Sequence, residues 1–277
     1  MLISHKQLKE INEVQIEILR AVSEACKQLR ISFYMVHGSL LGTIRNHKFV
    51  PDDDDIDIAL FRNDYDLFVK EAPKILEPHF FVQTNSTDPG YPLAFGKVRD
   101  SRTTYIIEEA KHIPMNHGIY IDVFPIDYCA KKSFWGQLTA FKYRLLNSRI
   151  ATTYRLDGES ILKKTLRFGT KILFPSQSRA IRAREKILTS CKQGRFVRIS
   201  GGKPTEQCVP ASWFQVVKED NFEGIPVYIP NEYEHYLTQI YGDYRSRTLI
   251  ENKISNDKEI EINACVIDTK TPYTEYI

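Results

Sequence analysis

The chain has 277 residues, of which 42% are hydrophobic and 26% are charged, and this composition excludes collagen-like, low-complexity and wholly disordered proteins. The formal net charge is only +3, so charge alone predicts neither a nucleic-acid-binding protein nor a carrier of acidic ligands. The charge is unevenly distributed, because residues 131–198 contain 17 Lys and Arg against 3 Asp and Glu. The basic middle and the acidic flanks therefore call for separate explanations.

Helical and strand patterns alternate along the N-terminal part of the chain. Residues 5–30 carry apolar side chains on one face, which predicts an amphipathic helix with Ser4 as its N-cap. Further helices are predicted at 39–46 and 64–77, and strands at 31–37, 56–61, 93–107 (two strands around a turn) and 118–127, the last ending at Pro125. This order predicts an α/β (α+β) fold class with a sheet flanked by helices.

The remaining sequence divides into a basic segment and a C-terminal part. From Lys131 to Gln193 the pattern is helical, with a break at Phe174-Pro175. Short strand-like runs, a helix capped by Asn231 and a terminal strand near 260–267 follow. We expect a catalytic core over 1–130, a mainly helical basic insertion over 131–198, and a C-terminal part over 199–277 that packs on the core.

The five cysteines are widely spaced and include no CxxC pair. This pattern favours reduced thiols in a cytosolic protein over a disulfide scaffold or a zinc cluster. The N-terminus lacks the apolar segment of a signal peptide, and no apolar stretch is long enough for a transmembrane helix. We therefore expect a cytoplasmic location, with any membrane contact made peripherally at the inner surface.

An unusual acidic run precedes the strand predicted at 56–61. It consists of four consecutive aspartates, Asp52 to Asp55, and Asp57. Asp55 and Asp57 point to the same face of a strand, and two carboxylates at the edge of a core require a cation. Hard oxygen ligands suit Mg²⁺ or Mn²⁺, so we interpret the pair as metal ligands; the alternative is a solvated acidic turn.

Gly38 and Ser39 lie where a predicted strand passes into a helix. Glycine permits a tight turn there, and backbone N–H groups together with the Ser39 hydroxyl can bind a phosphate. Together with the acidic pair, this turn indicates a site for phosphoryl transfer. His37, just before the turn, is as readily a packed side chain as a ligand.

These residues resemble a known family. Gly38-Ser39 followed by Asp55-Ile56-Asp57 resembles the signature of the polymerase-β-type nucleotidyltransferase fold. The longer string GSLLGTIRN…FVPDDDDIDIAL resembles the LicD family of phosphotransferases, which is related to fukutin, as do FGKVRDSRTTY, IYIDVFPID and NFEGIPVYIPNEYEHYLTQIYGDY. The resemblance implies a nucleotidyltransferase-fold mixed β-sheet flanked by helices.

The resemblance also implies further site residues. It makes Asp122 the third carboxylate of the metal site; the alternative is a buried cap or turn acceptor. Lys97 and Arg99 face one way on a strand and would bind the diphosphate of a donor, unless they lie on a solvent-facing edge. Arg45 would pair either with the acidic run or with a phosphate, and Glu223, in the FEG block of the family, would contact substrate.

The basic segment over 131–198 has several interpretations. It would bind nucleic acid, an anionic membrane surface or an anionic glycan, or it would form an ordinary solvated helical face. Nucleic acid is the weakest of these, since no nucleic-acid-binding motif accompanies the charge, and we expect no nucleic-acid partner. The resemblance implies acceptors that include lipid-linked glycans, which favours a peripheral membrane contact.

The function implied by the resemblance is a Mg²⁺- or Mn²⁺-dependent transfer of phosphocholine, or a similar substituent, from a CDP-linked donor such as CDP-choline. The acceptor would be a sugar hydroxyl of a cell-surface glycan such as capsule, teichoic acid or lipopolysaccharide. Two alternatives remain open: a nucleotidyltransferase acting on a small molecule or sugar, and a non-catalytic module that binds metal and nucleotide.

Overall fold

A computed structural model describes residues 1–129, 134–151, 172, 174–199, 208–246 and 259–277. The α-helices of these ranges are α1 (His5–Leu29), α2 (His37–Asn46), α3 (Arg62–Glu71), α4 (Phe134–Ala151), α5 (Gln177–Leu188) and α6 (Tyr233–Tyr241). The strands are β1 (Leu2–Ile3), β2 (Tyr34–Met35), β3 (Asp57–Phe61), β4 (Phe80–Gln83), β5 (Gly96–Asp100), β6 (Thr104–Ile106), β7 (Ile119–Cys129), β8 (Phe196–Ile199), β9 (Val209–Pro210), β10 (Val217–Phe222), β11 (Ile225–Pro230), β12 (Ile260–Glu261) and β13 (Val266–Asp268).

The main sheet is mixed, which confirms the predicted fold class. Its order is β2-β3-β7-β5-β4, and β8 pairs with β7 and β9 with β8. Strands β3 and β7 are parallel, whereas the other pairs are antiparallel. The parallel pair at the centre is the feature that positions the candidate site, because it sets Asp57 directly beside Asp122.

Strand β7 runs through Pro125 and ends at Cys129, so the predicted end at Pro125 is wrong. On one side β7 pairs with β5 only as far as Val123, and β8 begins to pair with it at Ile126. Pro125 therefore lies where one neighbouring strand replaces the other. A residue without an N–H fits there, because no ladder hydrogen bond is lost on that side.

Helix α1 confirms the predicted amphipathic helix. Ser4 forms a capping box with Gln7, in which each side chain accepts from the backbone of the other. The helix buries an apolar stripe made of Leu8, Ile11, Ile18, Leu19, Val22, Ala25 and Cys26. Much of this stripe joins the core formed by the central strands, including Ile58, Val98 and Ile121. Helix α1 and the central strands thus share one hydrophobic core.

The C-terminal hairpin and helix cover another side of the core. Strands β10 and β11 pair along their whole length, and α6 follows. The N-cap of α6 is Glu232 rather than the predicted Asn231, whose side-chain oxygen accepts from the amide of Val216 instead. The helix ends at Gly242, whose φ is positive (68°), a conformation that glycine adopts without strain.

The described part of the basic middle segment contains the helices α4 and α5, and its last residues enter strand β8. Helices α4 and α5 pack on each other through Leu146, Ile150, Ala180 and Ile181, and the Phe174-Pro175 break lies outside any described helix. Tyr143 and Leu188 contact Ala94, which joins the pair to the loop before β5. The part of this prediction that concerns residues 130–133 and 152–171 lies outside the described residues. The division into three parts stays a prediction.

The prediction of reduced thiols is wrong for two of the five cysteines. Cys129, at the end of β7, forms a disulfide with Cys208, whereas Cys26, Cys191 and Cys265 are free. Within the described ranges no helix is long and apolar enough to cross a bilayer.

Candidate active site

The candidate site is built on one face of the central strands. Asp57 on β3 lies beside Asp122 on β7, and Lys97 on β5 lies on the other side of Asp122. Since these three residues are register partners, their side chains share one face of the sheet. We call Asp57, Asp122 and Lys97 the carboxylate row. The backbone amide of Asp122 also donates to the carbonyl of Ile56 (2.8 Å), which fixes the two strands at this point.

The acidic run is divided among several partners. Asp52 turns towards His5 (Oδ1 to Nδ1, 3.8 Å). Asp54 accepts a hydrogen bond from the hydroxyl of Tyr105 (2.7 Å). Asp53 approaches the first turn of α2 so closely that a Cβ on Gly38 would lie 2.6 Å from its Oδ2. Asp55 is close to the carboxylate row, since its charge acts on Asp57 and the charges of Asp122 and Lys97 act on it.

The Gly38-Ser39 turn supports the acidic pair directly. Ser39 is buried, and its Oγ accepts a hydrogen bond from the backbone N–H of Asp57 (2.8 Å). The hydroxyl proton of Ser39 can still be donated to a ligand. Gly38 admits the carboxylate of Asp53 at the N-terminus of α2, where the helix dipole favours a negative charge. The phosphate-binding roles of both residues stay predictions.

The three carboxyl groups share an unfavourable environment for negative charge. Burial, followed by the charges of Asp122 and Asp54, raises the pKa of Asp55 to about 6. Burial and the charges of Asp55, Asp122 and Asp53 raise the pKa of Asp57 well above its ordinary value. Burial also raises the pKa of Asp122, although Lys97 opposes this. One lysine cannot compensate several buried carboxylates, so the site favours additional positive charge.

Lys97 is the cation that the structure places among these carboxylates. Its ammonium group donates to Oδ1 of Asp122 and lies 3.3 Å from the ring centroid of Tyr120. The ring of Phe95 is 5.6 Å away. Burial lowers the pKa of Lys97, while Asp122 raises it. The alternative of a solvent-facing edge is wrong for this residue, which is 4% exposed, while its contact with a diphosphate stays a prediction.

The donor chemistry of the site fits a hard divalent cation. Asp55, Asp57 and Asp122 offer only carboxylate oxygens, which Mg²⁺ and Mn²⁺ prefer, and burial, followed by neighbouring carboxylates, raises their pKa values. Among the described residues no three His, Cys, Asp or Glu side chains are placed so that together they could hold a metal ion. Asp122 is instead paired with Lys97.

Arg99 lies on the same strand face but has a different set of partners. It is 1% exposed, and its guanidinium donates to Gln83 Oε1 and to the carbonyl of Gly118, each at 2.5 Å. It also lies 4.8 Å from the ring centroid of Tyr120. These contacts tie β4, β5 and the start of β7 together and rule out a solvent-facing edge. Its predicted contact with a diphosphate stays a prediction.

Arg45 and Glu223 lie towards the other end of α2. The Nη2 of Arg45 donates to the backbone carbonyls of Tyr244 and Ser246, so its observed partners are neither the acidic run nor a phosphate. Glu223 has a left-handed backbone (φ 50°), and its amide donates to the carbonyl of His47 (2.8 Å). Ser39 and His47 are separated by roughly 12 Å along the helix axis. The predicted substrate contacts of Arg45 and Glu223 stay predictions.

Gln15 is a site residue that sequence reasoning missed. It lies on the buried face of α1 and is 1% exposed. Its Nε2 donates to the carbonyl of Asp54 (2.8 Å) and to the carbonyl of Tyr120 (3.1 Å), so one side chain joins the acidic run to β7. A signal was present, because Gln15 interrupts an apolar stripe between Ile11 and Ile18. A buried polar side chain in such a stripe needs partners.

Aromatic side chains surround the carboxylate row, and the sequence did not single them out. The ring of Phe124 lies 4.3 Å from that of Phe95 and 5.5 Å from that of His37. His37 also lies 3.4 Å from the hydroxyl of Tyr236 on α6, and burial lowers the pKa of His37 to about 4. Burial and the charges of Asp53, Asp57 and Asp55 raise the pKa of Tyr241, at the end of α6.

Comparisons with known proteins show which family this chain resembles. The LicD/FKTN/FKRP nucleotidyltransferase domain matches residues 30–185, a range that contains the whole carboxylate row. The chain is also 26% identical over 245 residues to the lipopolysaccharide cholinephosphotransferase LicD of Haemophilus influenzae. That alignment covers 86% of this chain and 91% of the relative.

Proposed function

The chain belongs to the LicD family and is a phosphotransferase, and from this premise we propose that it transfers phosphocholine from a CDP-linked donor to a sugar hydroxyl of a cell-surface glycan. The observation that carries the proposal is the carboxylate row, in which Asp57 and Asp122 are register partners on parallel strands, with the charge of Asp55 acting on Asp57. The name of the Haemophilus influenzae relative supports phosphocholine as the group and lipopolysaccharide as one acceptor class. Capsule and teichoic acid are further acceptor classes of the same proposal.

Asp55, Asp57 and Asp122 would hold Mg²⁺ or Mn²⁺. Such an ion supplies charge neutralisation for the donor diphosphate and for the attacking and leaving oxygens. The backbone of Asp57 is held for this role by Ser39, and the loop that carries Asp55 is held by Gln15 through the neighbouring carbonyl of Asp54. These supports keep the carboxylates in place before substrate binds.

In the proposed reaction the acceptor hydroxyl oxygen attacks the phosphorus that carries the choline. The bond from that phosphorus to the bridging oxygen breaks, and CMP leaves with the electron pair. Asp122 would take the proton of the acceptor hydroxyl, since a buried carboxyl with a raised pKa is a suitable base. The ammonium of Lys97 lies next to this carboxylate and would bind a donor phosphate oxygen.

The basic segment would bring the enzyme to its acceptor. Helix α5 buries Ala180, Ile181 and Leu188 and exposes Arg179, Arg182 and Lys186 to solvent. Exposed basic residues near an anionic surface contribute about 1 kcal/mol each to attachment. Peripheral contact with a lipid-linked glycan is thus part of the proposal, and retention in flotation with anionic liposomes tests it. No retention would count against membrane contact and would leave the transfer reaction unaffected.

The transfer reaction is tested by incubating the full chain with Mg²⁺, a glycan acceptor and a panel of CDP-linked donors. We expect CMP and a phosphocholine-bearing acceptor as products. Asp57→Asn should lower the rate about 10³-fold, because a carboxylate of the metal site is lost. Release of phosphocholine, with the cytidylyl group joined to the acceptor, would indicate nucleotidyl transfer instead.

The matched control is Asp52→Asn. It removes a charge from the same acidic run, but Asp52 turns towards His5 rather than towards the site. Asparagine also tolerates the left-handed backbone of this residue (φ 64°). Equal losses of rate in the two variants would contradict the site assignment and would favour a general effect of the run's charge.

A further inference from the structure

The aromatic side chains next to the carboxylate row are arranged in a row of their own. Phe124 is two residues beyond Asp122 on β7, and Phe95 is two residues before Lys97 on β5. Residues two apart share a strand face, so both rings lie on the face that carries the carboxylates. Their centroids are 4.3 Å apart, and the ring of His37 is 5.5 Å from Phe124 in an edge-on orientation. We call Phe95, Phe124 and His37 the aromatic row.

The distance between the carboxylate row and the aromatic row is comparable to the length of a phosphocholine group. Two residues of a strand span roughly 7 Å, which separates the backbone positions of Asp122 and Phe124. The phosphorus and nitrogen atoms of phosphocholine are joined by four bonds and reach a separation of roughly 5 Å. A phosphate at the carboxylate row can therefore place its head group at the aromatic row.

The chemistry of the surroundings selects a cation. Ring faces attract a positively charged group. The charge of Lys97 is taken up by its ion pair with Asp122. His37 adds no repulsion, because burial lowers its pKa to about 4 and leaves the ring neutral. Phe124 is buried against Phe95, whereas Phe95 and His37 are half-buried, so a ligand would approach the row from the side of these two residues.

We propose that the aromatic row binds a quaternary ammonium group, the trimethylammonium head of the donor, while the donor phosphates lie at the carboxylate row. This inference rests on the proposed function and assigns the side chains that recognise the transferred substituent. A neutral head group of the same shape would fill the same space without the cation–π attraction.

The test compares two donors in binding to the full chain by isothermal titration calorimetry, without acceptor. One is CDP-choline, and the other is its neutral isostere, in which a quaternary carbon replaces the nitrogen. We expect the wild-type chain to bind CDP-choline more tightly by roughly 2- to 30-fold. This first comparison needs no substitution and is unaffected by folding defects. Equal affinities for the two donors would overturn the proposal.

Two variants locate the effect. Phe124→Leu and Phe95→Leu should each reduce the preference for CDP-choline while changing the affinity for the neutral donor less. The control is Phe49→Leu, which removes a ring that packs against Phe222 (centroids 5.1 Å apart) outside the aromatic row and should keep the preference. A variant that weakens both donors equally, with its melting curve unchanged, would also contradict the assignment.

The outcome is separable from that of the proposed function. CMP release with both donors at equal efficiency would leave phosphocholine transfer intact and would reject the aromatic row as its recognition element. A clear binding preference for CDP-choline without CMP release under any condition would support the aromatic row and reject the reaction.

Discussion

Two buried ion pairs on strand β7 show how differently this protein uses the same chemistry. Asp127 accepts two hydrogen bonds from Arg62, at 2.7 and 2.8 Å, and faces the side of the sheet opposite to Asp122. Asp122 pairs with Lys97 among other buried carboxyl groups. The first pair is geometrically matched, whereas the second carries surplus negative charge. The difference separates a pair that supports the fold from one that is prepared for a ligand.

The largest expected effect breaks the functional pair. Asp122→Asn should lower the rate of phosphocholine transfer about 10³-fold, because it removes a metal ligand and the proposed base. The free energy of unfolding should change little, since the substitution also removes a repelling charge. Rates of CMP release and urea unfolding curves measure both quantities. A fully active variant would remove Asp122 from the site.

The complementary substitution breaks the structural pair. Asp127→Asn should lower the free energy of unfolding by about 3 kcal/mol, because it leaves the guanidinium of Arg62 without a matching buried carboxylate. The rate of transfer below the melting temperature should remain near that of the wild type. A large loss of rate without a loss of stability would show that the two pairs are not separated in function.

Binding of a divalent cation should further distinguish the site around Asp122 from the Asp127–Arg62 pair. Mg²⁺ at about 100 times its dissociation constant should raise the free energy of unfolding by about 2.7 kcal/mol. Asp57→Asn should abolish this increase, whereas Asp127→Asn should keep it, since Asp127 lies on the other face of the sheet. Thermal unfolding with and without Mg²⁺ measures the effect. The absence of any increase in the wild-type chain would contradict the metal site.

The smallest expected effect concerns the titration of His37, in the aromatic row. The pKa of His37 in the folded protein is about 4, below its ordinary value of 6.5, so the unfolded chain binds the proton more tightly. This contribution to stability is complete above pH 6.5 and is lost as the pH falls towards 4. Between pH 7.5 and 5.0 the wild type should lose about 1 to 2 kcal/mol more than His37→Asn. Equal losses in urea unfolding would show that His37 is not desolvated.

Much of the site was predictable because strand periodicity is local. Asp55 and Asp57 are two residues apart, and the family resemblance supplied Asp122, which the structure places beside Asp57. The prediction could not extend to the cysteines, since Cys129 and Cys208 are 79 residues apart and only the fold brings them together. It also could not show that β7 continues through Pro125, which lies where β5 stops pairing with β7 and β8 begins.

The supports of the site were less predictable than its charged groups. The hydrogen-bond partners of Gln15 lie 39 and 105 residues away in the sequence, so no local pattern predicts them. Lys97 and Arg99 are two residues apart and carry the same charge. In the fold, however, Arg99 donates to a backbone carbonyl and a side-chain amide, whereas Lys97 donates to a carboxylate. Such distinctions depend on which strands become neighbours, which is a property of the whole chain.

The pairing of β7 with β8 has a consequence for how such enzymes diversify. Cys129 and Phe196 are directly opposite each other in this antiparallel pair, so residues 130–195 occupy the position of a hairpin loop. Each doubling of a flexible loop costs only about 0.6 kcal/mol in closure entropy. The sheet can therefore accept segments of very different length and charge at this one junction. The segment to which we assign the acceptor contact can thus change in length while the carboxylate row on the other half of β7 keeps its geometry.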